Sequence, residues 1–183
     1  KYDLEVNDEV DERFNVEKST EAACRYIKYL YSLYRNWSLV AAAYNMGETA
    51  LSSVIGKQKV DNYHDLYLNY ETGRYVYRIL AMKIIYQKPH NYGFYLTTKD
   101  LYPPIPVEYV EVDSTVSDLA QFAISKNINL RILKELNPWL RKNQLTNNER
   151  KKYLIKLPLN GNIDYFDISK DIDNEEVIDN SNE

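Results

Sequence analysis

Apolar residues recur along the first half of the chain with the period of a helix. Ala22, Ala23, Tyr26, Ile27, Leu30, Leu33 and Tyr34 fall at three-to-four spacing, which predicts a helix over Glu17–Tyr34 with Ser19 or Thr20 capping its start. Arg35-Asn36 interrupts the pattern, and Trp37–Asn45 predicts a second helix. That helix contains Ala41-Ala42-Ala43, which combines the strongest helix former with little bulk, so a neighbouring backbone can approach closely. Gly47 suits the left-handed position that closes a helix, placing Tyr44 and Asn45 on the last turn. Thr49–Ile55 reads as a third, short helix stopped at Gly56, and the aromatic-rich Val60–Tyr70 reads as helical turns. Glu71–Tyr75 then leads into a helix with Tyr75, Ile79, Met82, Ile85 and Tyr86 on one side, and Pro89 stands just past its end.

The pattern changes after Pro103-Pro104-Ile105-Pro106, a stiff extended run. Val107–Val112 alternates like a strand, and Asp113-Ser114-Thr115 offers caps for a helix turning Val116, Leu119, Ala120 and Ala123 inward. Asn129 can cap a further helix through Leu136, closed by Asn137-Pro138, and Tyr153–Leu157 reads as a second strand. The expected fold is mainly α, with a small α+β module of βααβ order and about 50 residues, near the lower limit for independent folding. The expected division is 1–101, a linker over 102–106, the module over 107–160 and an acidic, disordered tail over 161–183.

Composition refines this picture in a few places. The 44% hydrophobic and 27% charged content is that of a soluble globular chain, and no apolar run approaches the roughly 20 residues a membrane helix needs. The net charge of -4 is unevenly spread: Asp164–Glu183 carries eight acids and one lysine, so the remainder is mildly basic. No basic stripe points to nucleic acid. Cys24 is the only cysteine and reads as an inert, partly buried thiol. His64 and His90 stand apart without a ligand cluster, so no metal site and no cofactor is expected. The 18 tyrosines pair a flat apolar ring with a hydroxyl, which suits core packing and sugar faces alike.

Several separate motifs then agree. Asp11-Glu12-Arg13, Ser19 with Ala22-Ala23 and Tyr26, Leu30-Tyr31, Asn36-Trp37 and Ala42-Ala43-Tyr44-Asn45-Met46-Gly47 resemble the goose-lysozyme-like catalytic domain of lytic murein transglycosylases, D type. Tyr70-Glu71-Thr72 with Tyr75-Val76 and Ile79-Leu80-Ala81 resembles that family's last motif. The sequence departs from the common pattern at Met46, where Ala is frequent, and at Asn69-Tyr70, where Leu-Pro often precedes Glu-Thr. Val107–Leu157 looks like a LysM module, a small peptidoglycan-binding fold. It carries Asp113-Ser114-Thr115 where Gly-Asp-Thr is usual, and its stretch from Trp139 to Lys152 is longer than usual.

The resemblance implies cleavage of the β-1,4 bond between N-acetylmuramic acid and N-acetylglucosamine, closing the muramic acid as a 1,6-anhydro sugar. One Glu would protonate the glycosidic oxygen and then, as carboxylate, take the proton of the 6-hydroxyl. In the family that Glu lies in a Glu-Ser motif upstream of Asp-Glu-Arg, and no Glu-Ser pair occurs here. The chain also begins without methionine, so it is expected to be a fragment or processed form whose catalytic acid lies ahead of Lys1. Glu12, Glu48 and Glu71 have plainer readings as a salt bridge, an exposed helix start and a helix-start charge. By resemblance Asn45 would bond an N-acetyl group, Tyr44 would hold or underlie the Glu, and Tyr75 would bring its hydroxyl into the same cleft. Glu71 matches a family position, with an internal salt bridge an equal reading. Asp113, Ser114, Thr115, Asn137 and Pro138 are the glycan-contact candidates of the module. The implied partners are peptidoglycan strands and the missing upstream segment, and the implied location is the bacterial cell envelope, periplasmic or outer-membrane-associated. The alternatives are a catalytically dead glycan-binding protein and a plain helical interaction protein.

Overall fold

The computed structural model describes residues 2–97, 100–102, 104–159 and 161. Within these residues the elements are α1 (Val16–Tyr34), α2 (Trp37–Met46), α3 (Glu48–Gln58), α4 (Tyr70–Gln87), β1 (Val107–Val112), α5 (Leu119–Ser125), α6 (Leu130–Leu136) and β2 (Tyr153–Pro158). Short 3-10 turns occupy Glu12–Phe14, Tyr63–Asp65 and Pro89–Tyr92. The chain is thus mainly helical with a small α+β module. It forms two compact units, one made of Tyr2 and Glu21–Tyr95, the other of Asp3–Thr20 together with the described residues from Leu96 onward. Residues 3–20, which include the first turn of α1, pack with the C-terminal module although they stand at the other end of the sequence. The expected tail, 161–183, lies outside the described residues apart from Gly161.

The helical unit is organised around α2. Leu39, Val40, Ala42 and Ala43 are buried in one cluster with Leu30 of α1, Leu51 of α3, Tyr63, Leu66 and Val76 of α4. The small alanines let these neighbours close on α2, and Ala42 and Ala43 are fully enclosed. Asn36 caps α2 through its side-chain oxygen, which accepts from the Ser38 and Leu39 amides. Arg35, at φ 51, makes the break before it.

Several boundaries differ from expectation, each for a local reason. Helix α1 starts one turn earlier than Ser19, because Asn15 accepts from the Lys18 amide and supplies the cap. Gly47 takes φ 92 and ψ 142, a glycine conformation but an extended one, so it separates α2 from α3 without a left-handed close. Gly56 lies inside α3, which ends instead at Lys59 in the left-handed region. Helix α4 begins at Tyr70, capped by Asn69, so Glu71-Thr72-Gly73 forms its first turn. Beyond Val76 the apolar side of α4 is open: Ile79, Met82 and Tyr86 are 46%, 50% and 79% exposed. Cys24 is exposed, correcting the expectation of partial burial.

In the other unit β1 and β2 pair antiparallel, Val107 opposite Pro158 and Val112 opposite Tyr153. Against them lie Leu119, Ala123, Ile132 and Leu133, with Trp139, Leu140, Leu145, Ile155 and Leu157 completing one core. Helix α5 is capped by Asp118 and not by Asp113–Thr115. The Thr115 hydroxyl instead accepts from the Asn147 amide at 2.9 Å, and Val116 and Leu145 exchange backbone hydrogen bonds. Helix α6 is capped by Asn129 as the spacing predicts. Val10 belongs to this core, 2% exposed, although it lies more than a hundred residues from the rest of it in sequence.

Candidate functional site

The end of α2 meets the first turn of α4 through polar side chains. Thr72, 1% exposed, donates from its hydroxyl to Asn45 Oδ1 at 2.8 Å, and Asn45 Nδ2 donates to Glu71 Oε1 at 3.4 Å. The second bond fixes which way the amide faces, since an ionised carboxylate can only accept and must be met by the NH2 side. Thr72 is held in turn from beneath. Buried Tyr63 donates its hydroxyl to the Thr72 carbonyl at 2.8 Å, and Asn69 Oδ1 accepts from the Thr72 amide at 2.9 Å. After its two bonds the Asn45 amide keeps one N–H and one lone pair, the complement an N-acetyl group requires.

The other predicted cleft residues take distinct positions. Glu71 is exposed in the first turn of α4, where its charge suits the helix start, and among the described residues its bonded partner is the Asn45 amide. Tyr75 is half-buried and stands four residues after Glu71, on the same face of the helix. Tyr44 is 41% exposed with its ring 5.9 Å from that of Tyr26 on α1. Asn45 and Glu71 are therefore joined where α2 ends and α4 begins, and Tyr75 follows one turn further along α4. Thr72 and Tyr63 escaped the sequence reading; the Glu71-Thr72 pair was visible, but nothing local indicates that its Thr reaches Asn45.

Two other features bear on where chemistry could take place. A groove of about 650 Å³, lined by Leu33, Leu39, Ile55 and Asp61 among others, lies at the opposite end of α2, beside Asn36. Glu12 is 3% exposed and paired to Lys18, and its carboxylate also accepts from the Glu5 amide at 2.8 Å. Burial pushes the Glu12 carboxyl up, but the Glu5 amide and Lys18 together hold it below its ordinary value. It is thus an ionised structural group, as its salt-bridge reading expects.

The module's candidates divide. Asp113 and Ser114 are exposed, Thr115 is tied to Asn147, and Pro138 is half-buried. Asn137 is fully enclosed, and its amide is spent internally: Nδ2 donates to the Leu133 and Lys156 carbonyls and Oδ1 accepts from the Lys156 amide. It splices α6 to β2 and presents nothing to a ligand, which corrects its reading as a glycan contact. Among the described residues no group of three or more metal-ligating side chains gathers, and no helix is long and apolar enough to cross a membrane.

Comparison with known proteins identifies the family of both segments. Residues 1–66 match the transglycosylase SLT domain, and residues 108–161 match the soluble lytic transglycosylase C-terminal LysM-like domain. Membrane-bound lytic murein transglycosylase D of Escherichia coli K12 is 31% identical over 137 residues, covering 68% of this chain. The protein of the same name from Escherichia coli O6:H1 matches to the same extent. The chain spans 29% of the length of these relatives. With the SLT match running through Asn45 and the LysM-like match framing the β1–β2 module, the chain is a lytic transglycosylase homologue, combining SLT-domain sequence with a C-terminal LysM-like domain.

Proposed function

We propose that this chain supplies one wall of the glycan cleft of a peptidoglycan lytic transglycosylase. The observation that carries the reading is the Asn45 amide, fixed in orientation by Thr72 and Glu71 with one donor and one acceptor left over. In that role it aligns an N-acetyl group, while Tyr75 on the same α4 face and Tyr44 on the last turn of α2 border the sugar. The proton is handled by a glutamate outside residues 1–183, because no Glu-Ser pair occurs in them and Glu12 is buried in a salt bridge. That glutamate protonates the glycosidic oxygen as the bond to the anomeric carbon breaks. As carboxylate it then takes the proton of the muramic acid 6-hydroxyl, whose oxygen bonds to the anomeric carbon and forms the 1,6-anhydro ring. No water enters the product, so a cleft wall that holds both sugars in place contributes mainly through positioning. The site acts on cell-wall glycan and thus belongs in the bacterial envelope.

The test separates enzyme fragment from binding protein. The 183-residue chain, incubated with purified cell walls, is expected to retain glycan fragments in a pull-down but to release no anhydro-muropeptides detectable by mass spectrometry. A longer protein with the preceding sequence is expected to release them. Anhydro products from the 183-residue chain would overturn the assignment of the acid.

A further inference from the structure

We infer that Leu4–Glu17 is a docking strap for the C-terminal module, and that it holds the module even when the proline-rich connection is cut. The strap is itself a closed loop. Val6 pairs with Asp11, the Asn7 side-chain oxygen accepts from the Glu9 and Val10 amides, and the Glu12 amide donates to the Glu5 carbonyl at 2.9 Å. Its outer edge then pairs with the chain between Trp139 and Asn147. Val10 forms a bridge with Leu140, the Asp11 amide donates to the Trp139 carbonyl at 2.9 Å, and the Arg141 amide donates to the Glu9 carbonyl at 2.7 Å.

Side chains complete the seat from three directions. The Glu9 carboxylate accepts from the Thr146 amide and from Gln144, both at 2.6 Å, so it acts as a cap for the module's loop. Glu5 pairs with Lys151 and accepts from the Tyr153 hydroxyl at 3.1 Å, and Glu17 pairs with Lys156. Arg141 lies over the Phe14 ring, 4.4 Å from its centre. Val10 enters the module core beside these polar contacts. A buried apolar anchor ringed by charge-assisted hydrogen bonds is the anatomy of a specific interface. The Trp139–Lys152 stretch thereby acquires a purpose: it is the docking face for the strap, with Gln144, Thr146 and Lys151 bonded to strap carboxylates. This inference does not depend on the glycan reading of Asn45.

A specific protease site inserted after Tyr102 in the full chain provides the test. After complete cutting, the two halves are expected to co-elute on size exclusion at micromolar concentration. Glu9→Ala is expected to weaken their association about tenfold, and Glu9→Ala with Val10→Asp by about a hundredfold or more. Glu108→Ala, an exposed position on β1 away from the strap, is expected to leave it unchanged. Circular dichroism of the uncut proteins and amide exchange at Val116 and Leu145 report whether the module itself stays folded. Should the double variant lose that protection, the single Glu9→Ala measurement decides. Separation of the unmodified halves, or equal affinity with and without the Glu9 carboxylate, would overturn the strap.

Discussion

At Asn45 a single side-chain amide is held from two sides. Its direction is set by a carboxylate that can only accept and by a hydroxyl from a nearly buried threonine. Removing the amide in a complete transglycosylase, by Asn45→Ala, is expected to lower turnover about 100-fold, the size of a lost positioning contact. Steady-state release of anhydro-muropeptides measures it, and an unchanged rate removes Asn45 from the cleft. Thr72→Val keeps the shape and deletes only the hydroxyl, so it should cost about 1 kcal/mol of stability. It should also lower turnover by less than Asn45→Ala does, because Glu71 still orients the amide. Asn45 and Glu71 were both readable in the sequence as motif members. Their bond was not, because a hydrogen bond between residues 26 apart leaves no local pattern.

At the scale of elements, periodicity placed α1, α2, α6 and both strands correctly, while caps and glycines were harder to read. Ser19 and Thr20 resemble helix starts, yet Asn15 four residues earlier takes the role, since all three side chains cap well and only geometry chooses. Gly56 resembled a stop, but an exposed glycine within a helix merely weakens it. Ile79 and Met82 fall on one side of α4 as the spacing predicts, yet both are open, because periodicity defines an apolar face without naming what covers it. Gly47 is the glycine that matters. At φ 92 and ψ 142 it occupies a region almost closed to other residues, and a methyl group there would meet no atom within 4 Å. Gly47→Ala therefore costs backbone strain alone, about 1–3 kcal/mol. Urea unfolding followed by circular dichroism checks this, with Gly56→Ala as the opposite case: the added methyl meets open space, φ is helical, and stability should rise by several tenths to about 1 kcal/mol.

Over the whole chain, two family segments were legible because their motifs are contiguous, whereas the strap was invisible: Glu9 and Thr146 stand 137 residues apart. That distant pairing makes the C-terminal unit sensitive to acid. The Thr146 amide, then Gln144, hold the Glu9 carboxyl below its ordinary value, and Lys156 does the same for Glu17. Burial raises Glu12, but the Glu5 amide and Lys18 outweigh it, so its value is also lowered. Each of these carboxylates has a folded pKa beneath the unfolded value of about 4.3. Their stabilisation is fully present above that value and is lost as pH falls through the folded ones. Tyr153 works in the opposite sense. Burial first, and the hydrogen bond to Glu5 second, raise its phenol, so its contribution is present at neutral pH and is lost on ionisation above about pH 10. The urea midpoint of the C-terminal unit, read from the fluorescence of buried Trp139, is therefore expected to be level between about pH 5 and 9 and to fall on both sides. In Glu9→Ala the acid limb should become shallower while the alkaline limb stays in place, since Tyr153 bonds Glu5 and not Glu9. An acid limb of unchanged steepness in that variant would mean that Glu9 carries none of the linkage and that the acid sensitivity rests on Glu12 and Glu17.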